Sequence, residues 1–448
     1  MIAPVKSKPN VLIKCDHDIN NGIMNALGLR GYHFARVIAQ SCDVTLVTNK
    51  AANHKGELFR IKSYRKIRDL SPLLADCDMV VSQGMTPQWL RMIFRSGKRL
   101  ILDEYAPSFE VLERFPGMDQ QLLELMNKRA INWAKTVTSA SDLVLASNTK
   151  HADFLLGFMY STGKLSASVH REDPSLRSIV RVVPYGMPQA SPVHSRQAMK
   201  GVVRGVDKTD FVLLWNSGIW GWLDAATLIQ SMHRLKSTRP KIKLVFLGLG
   251  NIEYRGGRQQ DRCFLSRARE AVSLSKQLGV YGNNVIFLFD RVPPDDVQNF
   301  LLEADVGVST YPDSLETRLC IGSRLLDFVW AGVPLLASSA PLTDELISNN
   351  KVGLTVKCGD TEVLARAIVR LADDENLRSE CKANMRRLAE SLTWEKLLQP
   401  LRDYCDNYGH FQRLPHRDRT LSYYFGMWSF FFYSARVRAW EMCNRSSS

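Results

Sequence analysis

The stretch from Tyr311 to Ser338, YPDSLETRLCIGSRLLDFVWAGVPLLAS, holds the densest set of residues able to do chemistry. Glu316 and Arg318 follow an apolar run of strand type, Gly322 and Ser323 can open a helix, and Gly332-Val333-Pro334 ends that helix and leads into another strand. The first amides of a helix have no acceptor within it, so together with Arg318 and Arg324 they can form a diphosphate site. Asp327 lies one turn farther on, among Leu325, Leu326, Phe328, Val329 and Trp330. Its carboxylate can accept both hydroxyl hydrogens of a ribose, or it can serve only as a solvated partner of the helix dipole.

Three other places carry polar groups where a sheet would present them. After Lys14, the run CDHDINNGIMNALGLRGYHFARVIAQ sets Gly28 and Gly31 around Arg30, ahead of a helix containing Phe34, Val37 and Ile38. A glycine turn at a helix start with a guanidinium beside it suits an anionic or hydroxyl-rich ligand, although a glycine loop can also merely turn the chain. In Asn216-Ser217-Gly218-Ile219-Trp220-Gly221-Trp222, Gly218 lets backbone amides approach a phosphate, while the two tryptophans can stack on a sugar or pack internally. Gln83 and Asp103 end two strand-type runs and can bind sugar hydroxyls.

Positioning such loops requires an α/β framework. Apolar runs at Val11–Lys14, Val44–Thr48, Met79–Ser82, Leu100–Asp103, Leu143–Ala146 and Ile179–Val183 are spaced widely enough for crossover helices, and the rhythm restarts at Phe211–Trp215, Lys243–Leu247, Val285–Phe289, Val306–Thr310, Pro334–Ser338 and Leu354–Val356. The expected organisation is two doubly wound Rossmann-like domains, 1–190 and 209–395, joined by a polar, basic linker at 191–208 and facing each other across a cleft. Helices over Thr361–Ala372, Glu375–Leu392 and Trp394–Tyr408 are expected to close the second domain, the last of them as a closing helix over 396–410.

Composition narrows the function classes. The chain has 448 residues, 45% hydrophobic and 23% charged, which excludes disorder as its main character. Its formal charge of +14 favours phosphates, nucleic acid or an anionic membrane as partners, and no nucleic-acid motif accompanies it. Nine cysteines form no C-x-x-C pair, a pattern that suggests neither a disulfide framework nor zinc and fits a reducing cytosol. MIAPVKSKPN lacks the apolar core of a signal peptide, so a cytoplasmic location is expected.

The motifs, taken in order, resemble those of the retaining, nucleotide-sugar-dependent glycosyltransferases of family 4, which have the GT-B fold. NALGLRGYHFARVIAQSCDVTLVTN, KRLILDEYAP, SDLVLASN, RVVPYGMP, LLWNSGIWGWLDAATLI, KLVFLGLG and LLEADVGVSTYPDSLETRLCIGSRLLDFVWAGVP carry the resemblance over most of residues 10–400. It implies a hexosyltransferase (EC 2.4) whose second domain binds the nucleotide-diphosphate sugar, whose first forms the acceptor side, and which needs no metal or other cofactor. Donor binding then falls to Gly218, Glu316, Ser323 and Asp327, stabilisation of the leaving diphosphate to Arg318 and Arg324, and the cleft side to Gly28, Arg30, Gln83 and Asp103. Leu319 stands where the common two-glutamate form has its first glutamate, and Glu316 resembles the acidic residue of a related subgroup. The loop 216–222 lacks the arginine and lysine of many relatives, and Gly322 replaces an expected arginine. These departures fit a noncatalytic, sugar-binding or scaffold subunit as the alternative.

Residues 411–448 have their own character. LSYYFGMWSFFFY carries no charge, has Arg413, Arg417 and Arg419 before it and Arg436 and Arg438 after it, and is too short for a hydrocarbon core that takes about 20 residues of helix. The expectation is a tail that lies in the interface of an anionic membrane, its rings at headgroup depth, or a helix that packs on the first domain. The first of these places the protein at the inner membrane face beside a glycan or lipid-linked acceptor.

Overall fold

A computed structural model describes residues 8–19, 26–52, 58–105, 119–250, 259–411 and 416–444. The stretch MIAPVKS, residues 20–25 of the loop after the first strand, and Arg413 of the tail lie outside the described residues. The chain divides into two compact units, one running to Tyr185 and resuming at Trp394, the other holding Gly186–Thr393.

The first unit is built on parallel strands β1 (Asn10–Cys15), β2 (Asp43–Thr48), β3 (Arg60–Ser63), β4 (Met79–Gln83), β5 (Arg99–Glu104), β6 (Leu143–Ala146) and β7 (Val180–Val182). They stand in the order β3-β2-β1-β4-β5-β6-β7 and are crossed by helices α1 (Ala26–Ile38), α2 (Ser71–Asp76), α3 (Pro87–Ser96), α4 (Gln120–Ala140), α5 (Thr149–Ser161) and α6 (Ala167–Glu172). The central strands are nearly all apolar because helices cover both faces, and Leu12, Val80, Leu102 and Val144 pack with Trp89 and Ile93 of α3. The edge strand β3, RIKS, is charged and largely exposed. Such an edge resists pairing with another chain, and it escapes a search for apolar runs.

The second unit repeats the plan with β8 (Phe211–Trp215), β9 (Ile242–Phe246), β10 (Val285–Phe287), β11 (Val306–Ser309), β12 (Leu335–Ser338) and β13 (Gly353–Val356), in the order β10-β9-β8-β11-β12-β13. Its helices are α7 (Ala225–Leu235), α8 (Gln259–Gln277), α9 (Pro294–Glu303), α10 (Leu315–Leu319), α11 (Ser323–Ala331), α12 (Pro341–Ile347), α13 (Thr361–Asp373) and α14 (Glu375–Ser391). Two doubly wound parallel sheets are therefore present, as the rhythm of apolar runs implied. Residues 191–208, expected as a linker, are instead strapped to this unit. The Glu303 carboxylate accepts the amides of Ala198, Met199 and Lys200 at 2.6, 2.9 and 2.7 Å, and Asn299 accepts that of Ser195 at 2.8 Å.

Trp394–Tyr408, expected as one helix closing the second domain, belongs to the first unit and is broken in two, α15 (Trp394–Leu397) and α16 (Gln399–Asp406). Pro400 lacks an amide and stands in the first turn of α16, where a new helix can begin but an old one cannot continue. The segment is drawn to this unit by specific contacts. Trp394 is buried, stacked on His33 at 4.6 Å and edge-on to Tyr185. Glu395 pairs with Arg36, Ser41 donates to Asp406 at 2.5 Å, and Arg181 donates to the Pro400 carbonyl at 2.6 Å.

The tail forms α17 (His416–Asn444), and one of its faces is packed. Tyr423 is buried and stacks on Phe94 of α3 at 4.5 Å, Phe430 meets Trp133 of α4 at 4.7 Å, and Val437 packs with Leu122 and Leu125. Gly426 brings the backbones together, since a Cβ there would lie 1.9 Å from the Thr136 hydroxyl. The tail is thus an integral helix of the first unit.

Two histidines of this unit are buried, and burial holds both neutral: His33 is pushed down to about 3 and His151 to about 4, from an ordinary 6.5. The unfolded chain takes up these protons below its ordinary value of 6.5 whereas the folded chain refuses them until near 4 and 3, so stability is fully present above 6.5 and falls as pH drops. Thermal melts from neutral to mildly acid pH should show a falling midpoint, and the double variant His33→Phe, His151→Gln should flatten that slope. Parallel slopes for the two proteins would show that other groups drive the acid response.

Candidate functional site

In the second sheet the chain runs from β8 out to β10 and then returns to place β11 on the other side of β8, so the strand order reverses between β8 and β11. Crevices at such a reversal, at the carboxyl ends of the strands, are where open α/β sheets bind ligands. Asn216-Ser217-Gly218 follows β8 and Thr310–Leu319 follows β11, so both motifs arrive at this point. The loops are tied to each other. The Asp224 amide donates to the Thr310 carbonyl at 2.8 Å, the Thr310 hydroxyl donates back to the Asp224 carbonyl at 2.5 Å, and the Asp224 side chain caps α7.

Helix α11 supplies the third wall. Gly322 is its N-cap, without a side-chain cap, and a Cβ built there meets nothing within 4 Å. The space beside Gly322 at the start of α11 is therefore unobstructed, with the positive end of the helix dipole behind it. At the far end Gly332 adopts φ 68°, a left-handed cap that turns the chain into β12. Along the helix, Phe328 rests directly on β11. A side chain at Gly307 would fall 2.3 Å from its ring, so only glycine permits this approach.

Asp327 is held at the reversal point. Asn216 Nδ2 and an Arg324 guanidinium nitrogen donate to the same carboxylate oxygen, Oδ2, at 2.9 and 3.1 Å. The side chain keeps 30% of its exposure, and Oδ1 accepts no hydrogen bond from the described residues. Desolvation raises its pKa, against the lowering pull of Arg324 and Asn216. This orientation offers one oxygen to a hydroxyl-bearing ligand while the other is braced. Asn216 was not singled out from sequence; the signal was its place directly after β8 in a loop already suspected of binding phosphate.

The other expected donor residues are placed unevenly. Ser323 starts α11 and Gly218 lies partly exposed after β8. Glu316 is nearly buried in α10, whose start is closed by a reciprocal Ser314–Thr317 cap. Arg318 forks onto Asp313 at 2.9 and 2.8 Å and holds that carboxyl below its usual range. The pair is well exposed, so the guanidinium can exchange its partner for a phosphate at little cost. Trp220 and Trp222 stack on each other at 5.3 Å, both partly buried.

In the first unit the expected cleft residues are corrected. Gly28 does not precede the helix; it lies inside α1 and is buried. Gly31 also lies inside, and a Cβ there would strike Cys15 Sγ at 2.8 Å and Gln83 Oε1 at 2.9 Å, so close helix packing, not a ligand turn, requires it. Arg30 is completely buried. Its Nε and one terminal nitrogen fork onto Asp103 at 2.9 and 2.8 Å, and the carbonyls of Val183 and Pro184 each accept at 2.8 Å. Gln83 donates to Asp103 at 3.1 Å. These residues join α1, β4, β5 and the chain after β7, and all three are buried. At the carboxyl end of β1 Asp16 is a partly exposed carboxylate, braced by the buried Lys14 and by the Tyr64 hydroxyl. Lys14 reads as a strand residue in sequence, and Tyr64 arrives from a distant loop.

The two sheets, with an open helix start and a braced aspartate at the second one's reversal point, are of the GT-B type found in glycosyltransferases. Residues 222–388 match the family described as Glycosyl transferases group 1, so the second unit carries such a domain. Over 126 residues, 26% of this chain and 27% of the relative, the sequence is 29% identical to a chitobiosyldiphosphodolichol beta-mannosyltransferase of Kluyveromyces lactis. The match thus spans about a quarter of that relative. Among solved structures, Anabaena HepE in complex with UDP-glucose is similar in fold, with TM-score 0.60 and 15% identity over 88% of this chain and 98% of that one. WaaG, a glycosyltransferase involved in lipopolysaccharide biosynthesis, gives 0.59 and 15% over 89% of this chain and 100% of that one.

The two arginine pairs should separate in a denaturant titration. Arg30→Met removes the ion-pair partner of the buried Asp103 and should cost about 3–5 kcal/mol in urea unfolding. Arg318→Met, in an exposed pair, should leave the midpoint where it was. Equal midpoints for both variants would show that the Arg30 cluster is not a structural element.

Proposed function

We propose that this protein moves a sugar from a nucleotide-diphosphate sugar to a glycan or lipid-linked acceptor, with retention of anomeric configuration. The observation that carries the reading is Asp327, braced by Asn216 and Arg324 at the strand-order reversal beside the open start of α11. Asp327 Oδ1 accepts from the donor ribose. The diphosphate lies against the α11 amides from Ser323, close to Gly218, with Arg324 and an exchanged Arg318 meeting its charge. Glu316, in the short helix α10 after β11, completes the donor-binding set.

The protein's contribution to rate is electrostatic. As the bond from the anomeric carbon to the diphosphate oxygen breaks, negative charge grows on the leaving group, and amide dipoles and guanidinium groups already in place favour it. The acceptor oxygen attacks on the same face, and its proton passes to the departing diphosphate, so the reading needs no protein base. Neither a metal nor another cofactor has a part in it. The departures in the loop 216–222 support a second reading, a noncatalytic sugar-binding or scaffold subunit. Peripheral attachment to the inner membrane face through residues 411–448 completes the proposal, with similarity to a dolichol-linked-glycan mannosyltransferase supporting a lipid-linked acceptor.

A thermal-shift panel of UDP, GDP, ADP, dTDP and their sugars, followed by transfer assays, tests this. At least one nucleotide should stabilise the protein, and ligand at 100 times its Kd adds about 2.7 kcal/mol. Asp327→Ala should weaken donor use by roughly 1.5–3 kcal/mol, the worth of hydrogen bonds to a charged acceptor, without lowering the melting point of the free protein. Arg324→Ala and Arg318→Ala should lower kcat more than donor affinity, and EDTA should change little. Binding without turnover selects the noncatalytic reading; no shift with any nucleotide, or activity that divalent ions restore after EDTA, sinks the donor site as drawn.

A further inference from the structure

The packed face of α17 runs through Tyr423, Gly426, Phe430 and Val437, which meet α3 and α4, and through the buried Ser434. At 3.6 residues per turn, Tyr424, Phe425, Trp428, Phe431 and Phe432 fall on the opposite side. Their exposure agrees, at 63%, 76%, 67%, 50% and 46%. Every exposed phenylalanine and tryptophan among the described residues lies on this one helix. Rings of this size concentrated on one outward face are a docking surface, because a monomeric protein in water seldom leaves such a patch open.

The charge around the patch selects its occupant. Helix α3, which stacks on Tyr423, exposes Arg91 and Arg95; α4, alongside, exposes Lys128 and Lys135; α17 itself exposes Arg436 and Arg438, the first with its guanidinium 5.8 Å from the Phe432 ring. The acidic residues of these three helices are Glu124, Asp418 and Glu441, fewer than the basic ones, so the rim is predominantly basic. Two copies joined through this face would bring like charges together, which disfavours a self-dimer. No helix among the described residues is long and apolar enough to cross a membrane. A helix with rings on its outer face, basic residues around them and no capacity to span matches the interface of an anionic bilayer.

We propose that α3, α4 and α17 form one lipid-docking surface, with α17 lying flat so that Phe425, Trp428, Phe431 and Phe432 enter the acyl boundary while the basic rim meets anionic headgroups. This rests on the peripheral attachment proposed above and changes its character. The anchor is a face of the folded first unit, not a detachable tail. The rings point away from the interior, so they can be replaced without emptying the core.

The test is sedimentation of the full chain with vesicles of phosphatidylcholine, with and without phosphatidylglycerol, and nucleotide thermal shift as a separate readout. The parent should bind the phosphatidylglycerol vesicles. Trp428→Ser with Phe432→Ser should weaken that binding at least tenfold while leaving the melting temperature and nucleotide shift unchanged. Arg91→Glu with Arg436→Glu should abolish the preference for anionic lipid. Should the ring variant unfold, Tyr424→Ser with Phe425→Ser provides the same loss from the same face. Parent protein that fails to sediment, ring variants that bind like the parent, or a dimer in light scattering that Trp428→Ser dissociates would overturn the proposal. Loss of nucleotide shift in the parent would count against the donor site alone, leaving the vesicle result to stand independently.

Discussion

The candidate donor site depends on a missing side chain. Gly307 leaves the surface of β11 bare, and the Phe328 ring settles onto it at a distance no Cβ would allow. That contact seats α11 directly on the strand, with Leu325, Leu326 and Val329 buried around it. Seated there, the helix presents its uncapped start and Asp327 at the carboxyl edge of the sheet, within hydrogen-bond reach of Asn216 from β8. A helix displaced outward by one methyl group would carry the aspartate out of that reach, since interiors at native density transmit such changes rather than absorb them.

The same topology serves opposite ends in the two units. At the second sheet's reversal, charged and polar side chains remain partly exposed, their hydrogen bonds arranged so that some capacity is left for a ligand. At the first sheet, Arg30, Asp103 and Gln83 satisfy one another inside the protein, and an ion pair of this depth is stable only because two backbone carbonyls complete its hydrogen bonding. The group 1 match, confined to residues 222–388, coincides with the unit whose polar groups stay available.

The carboxyl-terminal segments explain how the first unit is completed. Trp394 fills a buried place between His33 and Tyr185, so the chain crosses back and contributes to the core of the unit where it began. Helix α17 follows and divides its aromatic residues between two environments. Tyr423 and Phe430 pack inward, while Tyr424, Trp428 and Phe432 remain outside with the basic residues. Composition alone assigns all of these rings one role; helical geometry assigns them two.

Sequence by itself determined the architecture and marked the candidate donor-side motif. Apolar strand runs alternating with helical stretches specify two parallel sheets because both faces of such strands must be covered. Glycine at each end of α11 and its amphipathic spacing were equally local signals, readable because capping depends on neighbouring residues. Tertiary structure decided what depends on contacts between distant segments. Whether Arg30 meets a ligand or Asp103, whether Trp394–Tyr408 closes one unit or the other, and whether residues 191–208 hang free or strap onto Glu303 are settled by partners far away in sequence. The edge strand β3 was invisible for a related reason, as its residues are chosen against exposure rather than for burial. Residue type announced that a charge or a ring had work to do, but only the fold chose between burying it and leaving it within reach of a ligand.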